Sequence, residues 1–160
     1  VYETEPLQGD VIAAGPISVS LWVSTTGTDA DFVVKLIDVY PPDYPNPDPN
    51  PKDVKMGSYQ QLVRGEPFRA KFRNSFEYPE PMVPGELAKI EFEMPDICHA
   101  FRLGHRIMVQ IQSSWFPLVD RNPQRFLDIP TAKPEDFQKA TQRISRSSSA
   151  PSRIALSIID

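Results

Sequence analysis

The chain has 160 residues, of which 40% are apolar and 24% charged, and it carries a formal net charge of −4. A chain of this size forms one domain and can bury roughly 70% of its unfolded surface without a disulfide or metal staple. A single cysteine, Cys98, excludes an internal disulfide framework and any multi-cysteine zinc or iron–sulfur site. Eighteen prolines, well above the usual ~5%, disfavour long helices and punctuate short elements instead. No run reaches the ~20 apolar residues of a membrane helix. The basic tint of Arg143, Arg146 and Arg153 is too thin for nucleic-acid binding in an acidic chain. No methionine or basic-then-apolar leader precedes Val1-Tyr2-Glu3-Thr4, so the sequence reads as a piece of a longer protein, with no signal peptide of its own.

Residues 16–25 alternate, with Ile17, Val19, Leu21 and Val23 on one face and Ser18, Ser20, Trp22 and Ser24 on the other, the pattern of a half-buried strand. After the turn signal 26–29, Asp31 to Tyr40 is apolar on both faces apart from Lys35 and Asp38, which predicts a central strand. Residues 41–51 hold six prolines and predict an extended surface loop; recognition of it by a proline-binding module is the sharper alternative. Two separate short strands are predicted at 59–64 and 67–73, then strands at 86–94 and 105–113. Pro134-Glu135-Asp136 predicts the first turn of a short helix over about 134–140. Residues 138–145 and 152–159 close the chain as a pair of strands. Eight or more short strands with almost no helix predict an all-β sandwich or barrel without a domain boundary.

Catalytic motifs are missing. There is no G-x-S-x-G elbow, S-x-x-K, G-x-G-x-x-G, phosphate loop, H-E-x-x-H or C-x-x-C. His99 beside Cys98 could begin a metal pair, but two ligands without a third favour local hydrogen bonds for His99 and His105 and a buried structural thiol for Cys98. Asp29-Ala30-Asp31 could project two carboxylates toward a calcium ion; turn formation is the plainer reading. The expectation is therefore no metal and no cofactor. The segment Gln112 to Phe126 carries Trp115, Phe116, Leu118, Val119 and Phe126 between prolines, and so much apolar surface in a loop must be covered. Either it folds over its own sandwich, or Trp115, Phe116, Asp120, Arg121 and Asn122 dock a neighbouring domain. Asp120-Arg121-Asn122 can also form a local charge pair and turn before Pro123.

The run GHRIMVQIQSSWFPLVDRNP, Gly104 to Pro123, resembles the C-terminal domain of the X-Pro dipeptidyl-peptidase and cocaine esterase group of serine hydrolases, most closely its α-amino acid ester hydrolase and glutaryl-cephalosporin acylase-like members. The stretches Asp31 to Pro41 and Phe68 to Phe76, Pro84-Gly85-Glu86 and Pro151-Ser152-Arg153 are similar as well, so the likeness spans nearly the whole chain. Ser145-Arg146 departs from it, standing where relatives carry an aromatic followed by histidine. The resemblance implies a jelly-roll β-sandwich, galactose-binding-like, appended to an α/β-hydrolase domain that holds the serine, aspartate and histidine upstream, so none of the catalytic residues falls in this chain. It implies that residues 1–160 cover one side of that upstream domain, narrow substrate access and support homo-oligomers, in a parent exported to the periplasm or beyond. The alternative is a carbohydrate-binding jelly roll, for which Tyr40, Tyr44 and Tyr59 are the aromatic candidates.

Overall fold

The computed structural model describes residues 1–159. Ten strands carry the fold: β1 (Tyr2–Glu3), β2 (Val11–Thr25), β3 (Asp31–Val39), β4 (Gln60–Arg69), β5 (Ala88–Phe101), β6 (Arg106–Gln112), β7 (Gln142–Ile144), β8 (Arg146–Ser147), β9 (Ala150–Pro151) and β10 (Arg153–Ile159). One sheet runs β1-β6-β3-β4; the other runs β10-β2-β5, with β7 continuing the β10 side of β2, and every pairing is antiparallel. The chain crosses between sheets at β1→β2, β2→β3, β4→β5, β5→β6 and β6→β7, the sheet-to-sheet crossings of a jelly-roll β-sandwich. The alternation in β2 works as its pattern dictates: Ile17, Val19, Leu21 and Val23 are buried against Phe32, Val34 and Leu36 of β3 and Ile90, Met94 and Phe101 of β5. β3 is central and buried on both faces except at Lys35 and at its last residue, Val39.

Four expectations need correction. The two strands expected at 59–64 and 67–73 are the single strand β4, followed by a 3-10 turn at Ala70–Phe72. Pro67 does not break it because β4 is an edge strand, where a missing N–H costs no ladder bond. β5 does not stop at Met94: it runs on through Pro95 to Phe101, because Pro95 and Asp96 fall at a bulge where β2 also bends at Gly15, φ +103°, and Pro16. The helix expected at 134–140 shrinks to a 3-10 turn, Pro134–Asp136, in which the Asp136 carboxylate accepts the Lys133 N–H at 2.9 Å. That first turn lacks the apolar periodicity needed to bury a longer helix. Cys98 is exposed on the β5 edge strand rather than buried, since the core position of that bulged stretch is taken by Ile97.

Candidate functional site

β3 places a buried aspartate near each end of the sandwich, Asp31 and Asp38, 3% and 2% exposed. Asp38 faces inward among apolar residues, and a lone carboxylate there needs donors. His99 of β5 supplies one from Nε2, 2.9 Å from Oδ2, and His105, just before β6, supplies the other from Nδ1, 2.7 Å from Oδ1. The two histidines thus make no merely local contacts; they converge on one carboxylate 61 and 67 residues away in sequence. The His99 ring meets Phe101 edge-on, and the His105 ring lies 4.5 Å from Tyr40 and 5.5 Å from Tyr44. Sequence reading missed Asp38 as their partner, although a charge inside a doubly apolar strand was the available signal.

Tyr40, Tyr44 and Tyr59 do gather at this end, with Tyr40 4.6 Å from Tyr44 and 5.7 Å from Tyr59. Their planes are tilted by 57° and 86°, and the Tyr40 hydroxyl is bonded to Gln61 at 2.7 Å, so the rings pack on each other and on His105 rather than forming one flat surface. Burial pushes the Tyr40 hydroxyl above its ordinary pKa, and the Asp38 charge adds to the effect. The proline loop between β3 and β4 starts from this cluster and is pinned by its own asparagines, Asn50 to Val54 and Asn46 to Met56.

The opposite end is built around the segment after β6. Asn122 is buried, and its amide donates to Asp31 Oδ1 at 2.8 Å, while the Arg69 guanidinium stands 3.8 Å from Oδ2. Asn122 is thereby turned inward, toward the sandwich. Burial raises Asp31 from 3.8 to about 6 and raises its neighbour Asp29 as well. Asp29 is fully buried: Oδ1 accepts the Ala30 N–H at 2.9 Å and Oδ2 has no partner among the described residues. Asp29 and Asp31 do lie together, but the groups around them are the Asn122 amide N–H and the positive charge of Lys71, which repel a calcium ion rather than ligate one. Among the described residues no group of three or more histidine, cysteine or carboxylate side chains is placed to hold a metal.

Trp115 is half-buried on its own sheet. The Lys35 ammonium lies 4.3 Å above its ring, and a Cβ on Gly65 would stand 2.5 Å from Cη2, so this close approach requires glycine. Phe116 and Leu118 point outward, 64% and 68% exposed, and Asp120 and Arg121 are exposed too. The five docking candidates therefore divide: Trp115 and Asn122 fasten the segment to the sandwich, while Phe116, Asp120 and Arg121 remain at the surface. Beside them opens a cleft of about 760 Å³, lined by Phe32, Ile111 and Ile144, with β6 contributed by one sheet and β7 by the other, and by Gln124, Gln138 and Gln142. Those amides are tied together, Gln142 Nε2 to Gln124 Oε1 at 2.7 Å and Gln138 Nε2 to the Gln124 carbonyl at 2.9 Å.

Comparison with known proteins fits this architecture. Residues 1–155 match the family described as the X-Pro dipeptidyl-peptidase C-terminal non-catalytic domain. The cocaine esterase of Rhodococcus sp. (strain MB1 Bresler) is 34% identical over 158 residues, covering 99% of this chain and 25% of that protein. Two solved structures, an aminopeptidase from a marine sediment Thaumarchaeota archaeon and an α-amino acid ester hydrolase, superpose with TM-scores of 0.91 and 0.90, each 45% identical over 99% of this chain and 25% of theirs. The chain thus spans about a quarter of the length of these relatives. With the sandwich, its crossings and this match from end to end, the chain belongs to the X-Pro dipeptidyl-peptidase C-terminal non-catalytic domain family.

Proposed function

We propose that these residues are the C-terminal accessory domain of a larger serine hydrolase of the α/β-hydrolase type, acting on esters or amides. The domain packs on the catalytic portion and narrows access to its active site. The observation that carries this reading is the extent of the match: nearly all of this chain corresponds to only a quarter of each hydrolase it resembles. The contact face is the end bearing Phe116, Leu118 and Phe137, which are 64%, 68% and 40% exposed in the segment after β6, with the Phe116 and Phe137 rings each 5.5 Å from the Arg121 guanidinium carbon. Apolar side chains gathered in this way are stable in water only at a cost, which a neighbouring domain removes.

The test replaces Phe116 and Leu118 together with serine. The 160-residue chain melts as before, because neither side chain is in its core. The full-length parent loses about 2–4 kcal/mol, the range expected when two apolar interface anchors are removed. Unchanged melting of the parent would overturn the reading.

A further inference from the structure

We propose that Arg121 is the receptor for a carboxylate on the part of the parent polypeptide outside these residues, and that this pair sets the register in which the domain docks. The inference rests on the docking reading above and names its chemistry. Arg121 lies at the cleft between two rings, its guanidinium carbon 5.5 Å from the centroids of both Phe116 and Phe137. A guanidinium held by ring faces keeps its in-plane N–H groups directed outward, the fork that fits a carboxylate through two parallel hydrogen bonds.

Those donors are unused. Among the described residues Arg121 makes no side-chain hydrogen bond and no ion pair, whereas Arg69, Arg73, Arg102 and Arg106 each reach a carboxylate within 4 Å. Arg121 is also the one charged side chain lining the cleft, whose other polar walls are serine and amide groups. The neighbouring carboxylate is not a substitute: Asp120 takes part through its backbone carbonyl, which accepts from Arg69 at 3.3 Å.

The occupant follows from charge and position. A chain with a net charge of −4 has no general attraction for anions, so one cation fixed by two aromatic rings is a local device. It sits in the same apolar patch as Phe116 and Phe137, and an ion pair enclosed by such a patch selects one orientation out of the many that apolar contact alone allows. The three quarters of the relatives' length lying outside the matched region is the polypeptide that must supply the partner.

The experiment follows hydrogen exchange of residues 113–128 in the full-length parent, where exchange reports opening of the docked face. Arg121→Gln raises exchange roughly tenfold, and Arg121→Glu raises it several-fold further, because a carboxylate then faces a carboxylate. Arg121→Lys falls between wild type and Arg121→Gln, keeping the charge without the fork. Melting of the 160-residue chain changes at most slightly in the three, by the loss of the two ring contacts, since the guanidinium makes no hydrogen bond or ion pair among the described residues. Equal exchange in the Gln and Glu variants overturns the carboxylate, as does exchange in all three at the wild-type rate. If Phe116→Ser with Leu118→Ser opens the face while the Arg121 variants do not, the docking reading stands and this inference falls; if neither opens it, both fall.

Discussion

Strand β3 carries a buried aspartate toward each end, and the two are satisfied in opposite ways. Asp38 receives two imidazoles from residues that belong to the frame itself, one on β5 and one at the start of β6, with tyrosines closing over them. Asp31 receives an amide from Asn122, in the middle of the long segment between β6 and β7, and an arginine 3.8 Å away. The first arrangement seals an end of the sandwich. The second attaches the segment between β6 and β7 to it, leaving a cleft and exposed rings beyond the point of attachment. Carboxylates of like burial thus serve different purposes, and the difference lies in whether their partners come from strands or from a connecting segment.

Removing the sealed carboxylate has the largest effect. Asp38→Ala leaves both imidazoles without their acceptor in a site where one is nearly inaccessible, a loss of about 2–5 kcal/mol. For a domain of this size that lowers the melting temperature by about 5–15 °C. The face carrying Phe116 and Leu118, at the other end, keeps its exchange behaviour. If melting is unchanged, Asp38 does not seal its end of the sandwich, and the contrast between the two ends collapses.

The attached end is instead sensitive to pH. Burial holds Asp31 at about 6 against an ordinary value of 3.8, so the folded chain keeps this proton to higher pH than the unfolded chain does. The associated stability is complete below 3.8, falls as pH rises through the window up to about 6, and amounts to a loss on the order of 3 kcal/mol. Asp29 is raised in the same direction. Urea midpoints measured from pH 4 to 7 fall along this curve, and Asp31→Asn flattens most of it, because an asparagine oxygen still accepts from Asn122 but no longer ionises. A slope that survives the substitution assigns the titration to other groups.

Most of the frame was legible in the residues, and the reason is periodicity. The alternation in β2 and the doubly apolar run of β3 each admit one placement in a sandwich, and both took it. Prolines misled where bulges and edges tolerate them: Pro67 and Pro95 sit inside β4 and β5 because those strands have a free edge. The candidate site was legible only as a list of side-chain types. Trp115, Phe116, Arg121 and Asn122 were all marked by their chemistry, but which of them faces inward depends on Asp31 and Gly65, residues more than 40 positions earlier that carry no local signal of the contact. The pairing of Asp38 with His99 and His105 was hidden for the same reason: it joins residues through the sheet-to-sheet crossing.

The smallest expected effect separates attachment from docking within a single segment. Trp115 is chemically the most obvious interface anchor in this chain, and from composition alone its loss should harm a full-length parent more than the 160-residue chain. Its ring instead lies across Gly65 of β4 with Lys35 above it, contacts that exist without any partner. Trp115→Ala therefore removes about 1–2 kcal/mol, less than a fully buried aromatic because the residue is only half-buried, and it removes the same amount from the chain and from the parent. Gly65→Ala, which pushes the ring off the sheet from below, gives a similar loss, and the double variant adds little to either, since both act on one contact. A greater loss in the parent would move Trp115 from the fastening side of the segment to the docking side, alongside Phe116 and Leu118.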